Sequence, residues 1–113
     1  MIENLPKDLI IDFYLQVDIK DIKNYLLGAI NCFIRQKKSD WFKAKDIILG
    51  NWNGTPLQQI YDFFISNGLS EVESKKQAGM CLGQILKKVI FDDQRTFETR
   101  KTQDNPREYR LKP

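Results

Sequence analysis

The stretch SEVESKKQAGMCLGQILKKVIFDDQRTFETRKTQDNPREYRL, residues 70–111, decides how this chain folds. Ser70 and Glu73 stand at capping-box spacing. Beyond them Ala78, Leu82, Ile85 and Val89 fall within a narrow arc at about 100° per residue, widened by Cys81 and Leu86. The spacing predicts a long amphipathic helix over residues 70–90. Its opposite face carries Glu73, Lys76, Gln77, Met80, Gln84 and Lys87. Asp92 and Asp93 read as a turn and capping pair. Strands are expected at residues 94–101 and 107–111, with loop chemistry at Thr102-Gln103-Asp104-Asn105-Pro106 between them. Phe97, Tyr109 and Leu111 can face a core, and Tyr109 and Leu111 share strand parity. Arg95, Thr99, Arg100, Lys101, Arg107 and Arg110 crowd the strands and their tip. Glu98 and Glu108 offer these arginines cross-strand partners.

Upstream, the sequence breaks into shorter helices. Leu5, Leu9, Phe13 and Val17 recur every four residues, and Pro6 suits a first helical turn. Asp18 offers an N-cap for a second helix, whose apolar face is Ile19, Ile22, Leu26, Ala29 or Ile30, and Phe33. That helix should end in Arg35-Gln36-Lys37-Lys38, where positive charge complements the helix terminus. Trp41-Phe42 reads as a very short strand. A short helix is expected over residues 44–49, stopping at Gly50. Asn51-Trp52-Asn53-Gly54 is turn chemistry, and Thr55-Pro56 reads as N-cap and first helical position. Leu57, Ile60, Phe64 and Ile65 form the expected buried face of that helix, and Asn67-Gly68 ends it. Both tryptophans read as core or loop anchors.

The 113 residues suit one domain of ordinary size, with 42% hydrophobic and 29% charged residues. Cys32 and Cys81 are expected to be small buried hydrophobes in a reducing compartment. No apolar run approaches the roughly 20 residues of a membrane span. Met1-Ile2-Glu3-Asn4 lacks the pattern of a signal peptide. A cytoplasmic or nucleoid-associated protein without membrane partners is the expectation. Net charge is +3, but residues 74–113 hold ten Lys/Arg against five Asp/Glu. The basic surplus is C-terminal, which points to an anionic partner for that end of the molecule.

The order helix, Trp41-Phe42, Ala44-x-Asp46-Ile47-Ile48, a helix carrying Leu82-Gly83-x-x-Leu86-Lys87-Lys88, and a hairpin ending in Arg107-x-Tyr109-Arg110-Leu111 resembles the winged helix-turn-helix superfamily. It is similar in flavour to winged-helix modules at the ends of phage and mobile-element replication proteins. The resemblance covers about residues 19–111. It implies a mostly α fold with a small C-terminal β-hairpin, in a single domain over residues 1–113. Residues 1–17 would be an N-terminal extension to the 19–111 core. The segment 51–68 would add an inserted helix.

The resemblance further implies duplex DNA as partner, with regulation or replication as the setting and a homodimer or larger protein complex as the possible assembly. The residues agree on chemical grounds. A helix fits the major groove, and Gln77 and Gln84 carry amides suited to adenine. Lys76 and Lys87 can approach guanine or phosphate, with Met80 beside them. Ser74, Lys75 and backbone N–H groups near the helix start can hold phosphate. Arg95, Arg100, Lys101 and Arg107 are the expected backbone contacts of the hairpin. With six to eight cations on phosphate, the log–log salt slope would be roughly −5 to −7. A protein-interaction adaptor on the same fold is the competing expectation, with Phe13 and Tyr14 in an acidic N-terminal segment as the docking surface.

Catalysis is not expected. The sequence contains no histidine, which removes the commonest general acid/base and metal ligand. Two distant cysteines do not make a tetrahedral zinc site. No glycine-rich phosphate loop occurs. No cofactor or metal is expected.

Overall fold

A computed structural model describes residues 7–48, 50–101 and 106–113. Leu5, Pro6 and residues 102–105 of the expected loop lie outside the described residues. Among the described residues the order is α1 (Lys7–Gln16), α2 (Ile19–Lys37), α3 (Ala44–Ile47), α4 (Gln58–Ser66), α5 (Glu71–Asp92), β1 (Phe97–Arg100) and β2 (Glu108–Leu111). The fold is therefore mostly helical with a small antiparallel hairpin near its C-terminus, as the periodicities predict.

Local chemistry fixes the boundaries. Asp18 caps α2 by accepting from the Asp21 N–H at 3.0 Å. Ser70 caps α5 by accepting from the Glu73 N–H at 3.1 Å. α4 starts later than Thr55-Pro56 suggests. The Thr55 hydroxyl accepts from the Leu57 N–H at 3.2 Å and donates to the Trp52 carbonyl at 2.7 Å. It thus closes a tight turn ahead of the helix. Gly68, at φ +89°, follows the Asn67 cap and turns the chain out of α4, a backbone state that a glycine adopts without strain.

The core gathers around α5. Its inward arc of Ala78, Cys81, Leu82, Ile85, Leu86 and Val89 is buried as expected, with Ile90 added. α5 packs most extensively on α4, to which the four-residue turn 67–70 joins it, and next on α2. Phe13 of α1 is fully buried, edge-on to Phe63 at 5.3 Å and stacked with Phe64 at 5.8 Å. It is a core anchor, not a docking residue, while Tyr14 stays partly exposed. Phe63 takes the place expected for Ile65, which is exposed. Cys32 is exposed as well. It follows the buried Ile30 by two residues, a step of about 200° around α2.

The hairpin is attached to the helices through residue 42. Phe42 and Tyr109 exchange two backbone hydrogen bonds of 2.8 Å, forming an antiparallel bridge. The Trp41-Phe42 strand is thus a single bridge, and β2 lies between it and β1. Phe42 is fully buried and meets Phe33 at 5.0 Å, Tyr109 at 6.0 Å and Phe97 at 6.4 Å. The register pairs Phe97 with Leu111 and Thr99 with Tyr109. Alternate residues point to opposite faces, so one face of the hairpin joins the core and the other carries Glu98, Arg100, Glu108 and Arg110. Among the described residues no helix is long and apolar enough to cross a membrane.

Candidate nucleic-acid interface

The outward side of α5 and the tip of the hairpin face each other across an open groove of ≈ 400 Å³. α5 contributes Met80, Gly83, Gln84 and Lys87, and the hairpin contributes Lys101, Pro106, Arg107 and Tyr109. Five residues expected to contact DNA therefore meet in one place: Met80, Gln84, Lys87, Lys101 and Arg107. The two basic groups of the hairpin tip carry no salt bridge among the described residues. The Arg107 guanidinium donates to the Thr99 hydroxyl at 2.9 Å. On the helix side Lys87 Nζ lies 5.5 Å from the centroid of the exposed Phe91 ring. Lys76 is exposed on the same side of α5, three turns before Lys87. A groove with cations on both walls and an amide on one suits a polyanion whose interior edges offer hydrogen-bonding groups.

Burial and Arg107 act in opposite directions on the hydroxyl of Tyr109, one of the residues lining the groove. Burial raises its pKa and is the larger effect, while the neighbouring guanidinium lowers it. The net direction is upward, so the group stays a neutral donor well above neutral pH.

The other expected contacts lie elsewhere. Ser74 is completely buried and Gln77 is 2% exposed, so neither can reach DNA. The Gln77 amide instead donates to Glu73 Oε1 at 2.9 Å. Further along that flank Tyr14 of α1 lines a concavity with Gln84, Ile85 and Lys88, so α1 takes part of the side that a projection of α5 alone leaves open. Lys75 is exposed but borders a different concavity, beside Trp52 and Tyr61.

Arg95 is locked onto Asp93 by a bidentate pair of 2.9 and 2.8 Å and faces a groove shared with α2. The bonded guanidinium holds the Asp93 carboxyl below its usual pKa. Asp93 also accepts from the Arg95 backbone N–H at 2.8 Å, the turn role read for the pair, whereas Asp92 is the last residue of α5 and faces Lys88 at 3.9 Å.

Arg100 faces away from the groove. It pairs with Glu108 at 2.8 Å and lies 4.0 Å from the centroid of Trp41. Arg110 makes the matching pair with Glu98 at 3.0 Å and lies 4.8 Å from the same ring. Lys43 adds a 4.0 Å contact to Glu108. On this outer face each arginine has its own glutamate and Lys43 is the one cation in excess among the groups named, so the cross-strand reading of these arginines is the correct one. A Trp41 ring within reach of two guanidinium groups was missed in the sequence reading; its signal is the alternation of Glu and Arg in both strands.

Among the described residues no cluster of carboxylates and thiols has the arrangement of a metal site. The buried Cys81 thiol has its pKa pushed up to about 12 by burial, which leaves it inert as a nucleophile. No family model matches the chain, and neither a curated protein nor a solved structure matches it.

Proposed function

We propose that this chain is a winged helix-turn-helix module that binds duplex DNA, as a regulator or as the DNA-contacting part of a replication or mobile-element complex. The observation that carries the reading is the groove in which Gln84 and Lys87 of α5 face Lys101 and Arg107 of the hairpin. Two features of the fold support it. α4 and α5 are joined by a four-residue turn, the connection typical of a helix-turn-helix pair. The Phe42–Tyr109 bridge ties the hairpin to the chain just after α2, so the hairpin flanks α5 as a wing would. On this reading α4 is the first helix of the reading pair, and the one-turn α3 is the additional element.

α5 then rests in the major groove with Gln84 as the base-reading amide, and the hairpin tip holds the backbone. Four cations, Lys76, Lys87, Lys101 and Arg107, replace the six to eight that the sequence suggests. A mobility-shift titration against salt should give a log–log slope of roughly −3 to −4. Binding indifferent to ionic strength, or no retardation of any duplex, would remove the proposal.

An adaptor role is the second reading. It is favoured by the exposed apolar side chains of α1, Ile11 at 56% and Leu15 at 77%. Sedimentation mass across a concentration series tests it: a monomer throughout rules out self-association through that face.

A further inference from the structure

A second concavity, of ≈ 360 Å³, lies beside the first half of α5. Trp52 and Tyr61 supply its aromatic surface, and Ala78 adds an apolar contact. Asn51, Asn53 and Gln58 supply carboxamides, and Lys75 supplies the one cation among the lining residues.

The loop that presents Trp52 is held by its own bonds. The Asn53 N–H donates to Asn51 Oδ1 at 3.0 Å, and both the N–H and the hydroxyl of Thr55 donate to the Trp52 carbonyl, at 3.0 and 2.7 Å. The backbone that carries the indole is therefore set before any ligand arrives, and the ring itself packs against the core. Among the described residues the Asn53 carboxamide makes no hydrogen bond, which leaves it available to a ligand.

Gly79 borders this concavity, and Gly83 borders the groove described above. They are one helical turn apart, about 6 Å along the axis. Glycine is a poor choice inside a helix, and the fold does not require it here, because a Cβ at either position would meet nothing within 4 Å. Bare backbone at both positions leaves a low saddle between the two depressions.

We infer that the concavity beside Trp52 takes a nucleobase from an unpaired strand that continues out of the duplex held in the groove. The ligand class follows from the lining. Two aromatic rings stack on any base, carboxamides match the hydrogen-bonding edge of a base, and a lysine meets the attached phosphate. The saddle lets the strand cross α5 without a side chain in its way. This rests on the duplex-binding reading and narrows it to a junction between double and single strand.

The test uses the full chain with two probes: a blunt duplex, and the same duplex extended by a short single-stranded tail containing 2-aminopurine. The tail should raise affinity roughly tenfold, as stacking of one base would, and the 2-aminopurine emission should fall on binding. Gly79→Leu should abolish both effects while leaving affinity for the blunt duplex unchanged. Its thermal midpoint should not fall, since leucine is the better helix former and the position is open. Trp52→Leu should reduce the quenching independently. Equal affinity for tailed and blunt probes, or a Gly79→Leu variant that keeps the full gain, overturns the inference and leaves duplex binding intact. Failure to bind either probe overturns duplex binding, and the inference with it.

Discussion

Arg95 and Arg107 carry the same charge and differ in what holds it. Arg95 spends its guanidinium on Asp93, whereas Arg107 touches a neutral threonine hydroxyl at the edge of the groove. Arg107→Ala should weaken binding to every duplex and lower the salt slope by about 1. Arg95→Ala should leave that slope unchanged and cost stability of roughly 2 kcal/mol, because it strips a charged hydrogen-bond pair from Asp93; titration and thermal melting separate the two. The cysteines make a second contrast. Cys32 is exposed and should react with a thiol reagent in the native state, while Cys81 should react after denaturation. The Cys81 thiol is raised from its usual 9.0 to about 12 in the fold. Above pH 9 the unfolded chain releases this proton and the folded chain keeps it, so stability falls as pH rises from about 9 to about 12. Denaturant melts of Cys81→Ala should show a shallower decline over that range.

Among the elements, α5 was the most legible, because a helical period kept over 22 residues admits one solution. Its inner arc is the one the spacing gives. Ser74 was misplaced although it stands one turn before Ala78 and two before Leu82, on the same inner arc, whereas Gln77 lies just beyond Cys81 at the edge of that arc, where periodicity alone does not decide burial. The hairpin was legible in position but not in the allegiance of its arginines. Arg100 and Arg107 look equivalent by composition, and register alone sends one to Trp41 and the other to the groove. The cleft between Trp52 and Tyr61 left no trace in the sequence, since it forms between a loop, α4 and α5. α5 also shows a conflict between stability and use. Gly83→Ala should stabilise the helix by about 1 kcal/mol, as no atom opposes a Cβ there. The same methyl group stands in the groove, so duplex affinity should fall while the melting temperature rises. A variant that gains both would show that the groove is not the contact surface.

For the whole molecule, the decisive contact joins distant parts of the order of elements: Phe42 lies between α2 and α3, and Tyr109 lies in the last strand. Phe42 is fully buried among Phe33, Phe97 and Tyr109. Phe42→Ala should cost about 3–5 kcal/mol. Hydrogen exchange should then show protection lost first in the hairpin, with α4 and α5 retaining theirs longer. Uniform loss across all elements would mean that the hairpin and the helices unfold as one unit. The bridge also has a mechanical corollary. Since Phe42 rivets the flap to the helical scaffold, the spacing between α5 and the flap is set at folding. On the duplex-binding proposal the molecule is a preset caliper, and the bending needed to fit falls to the target.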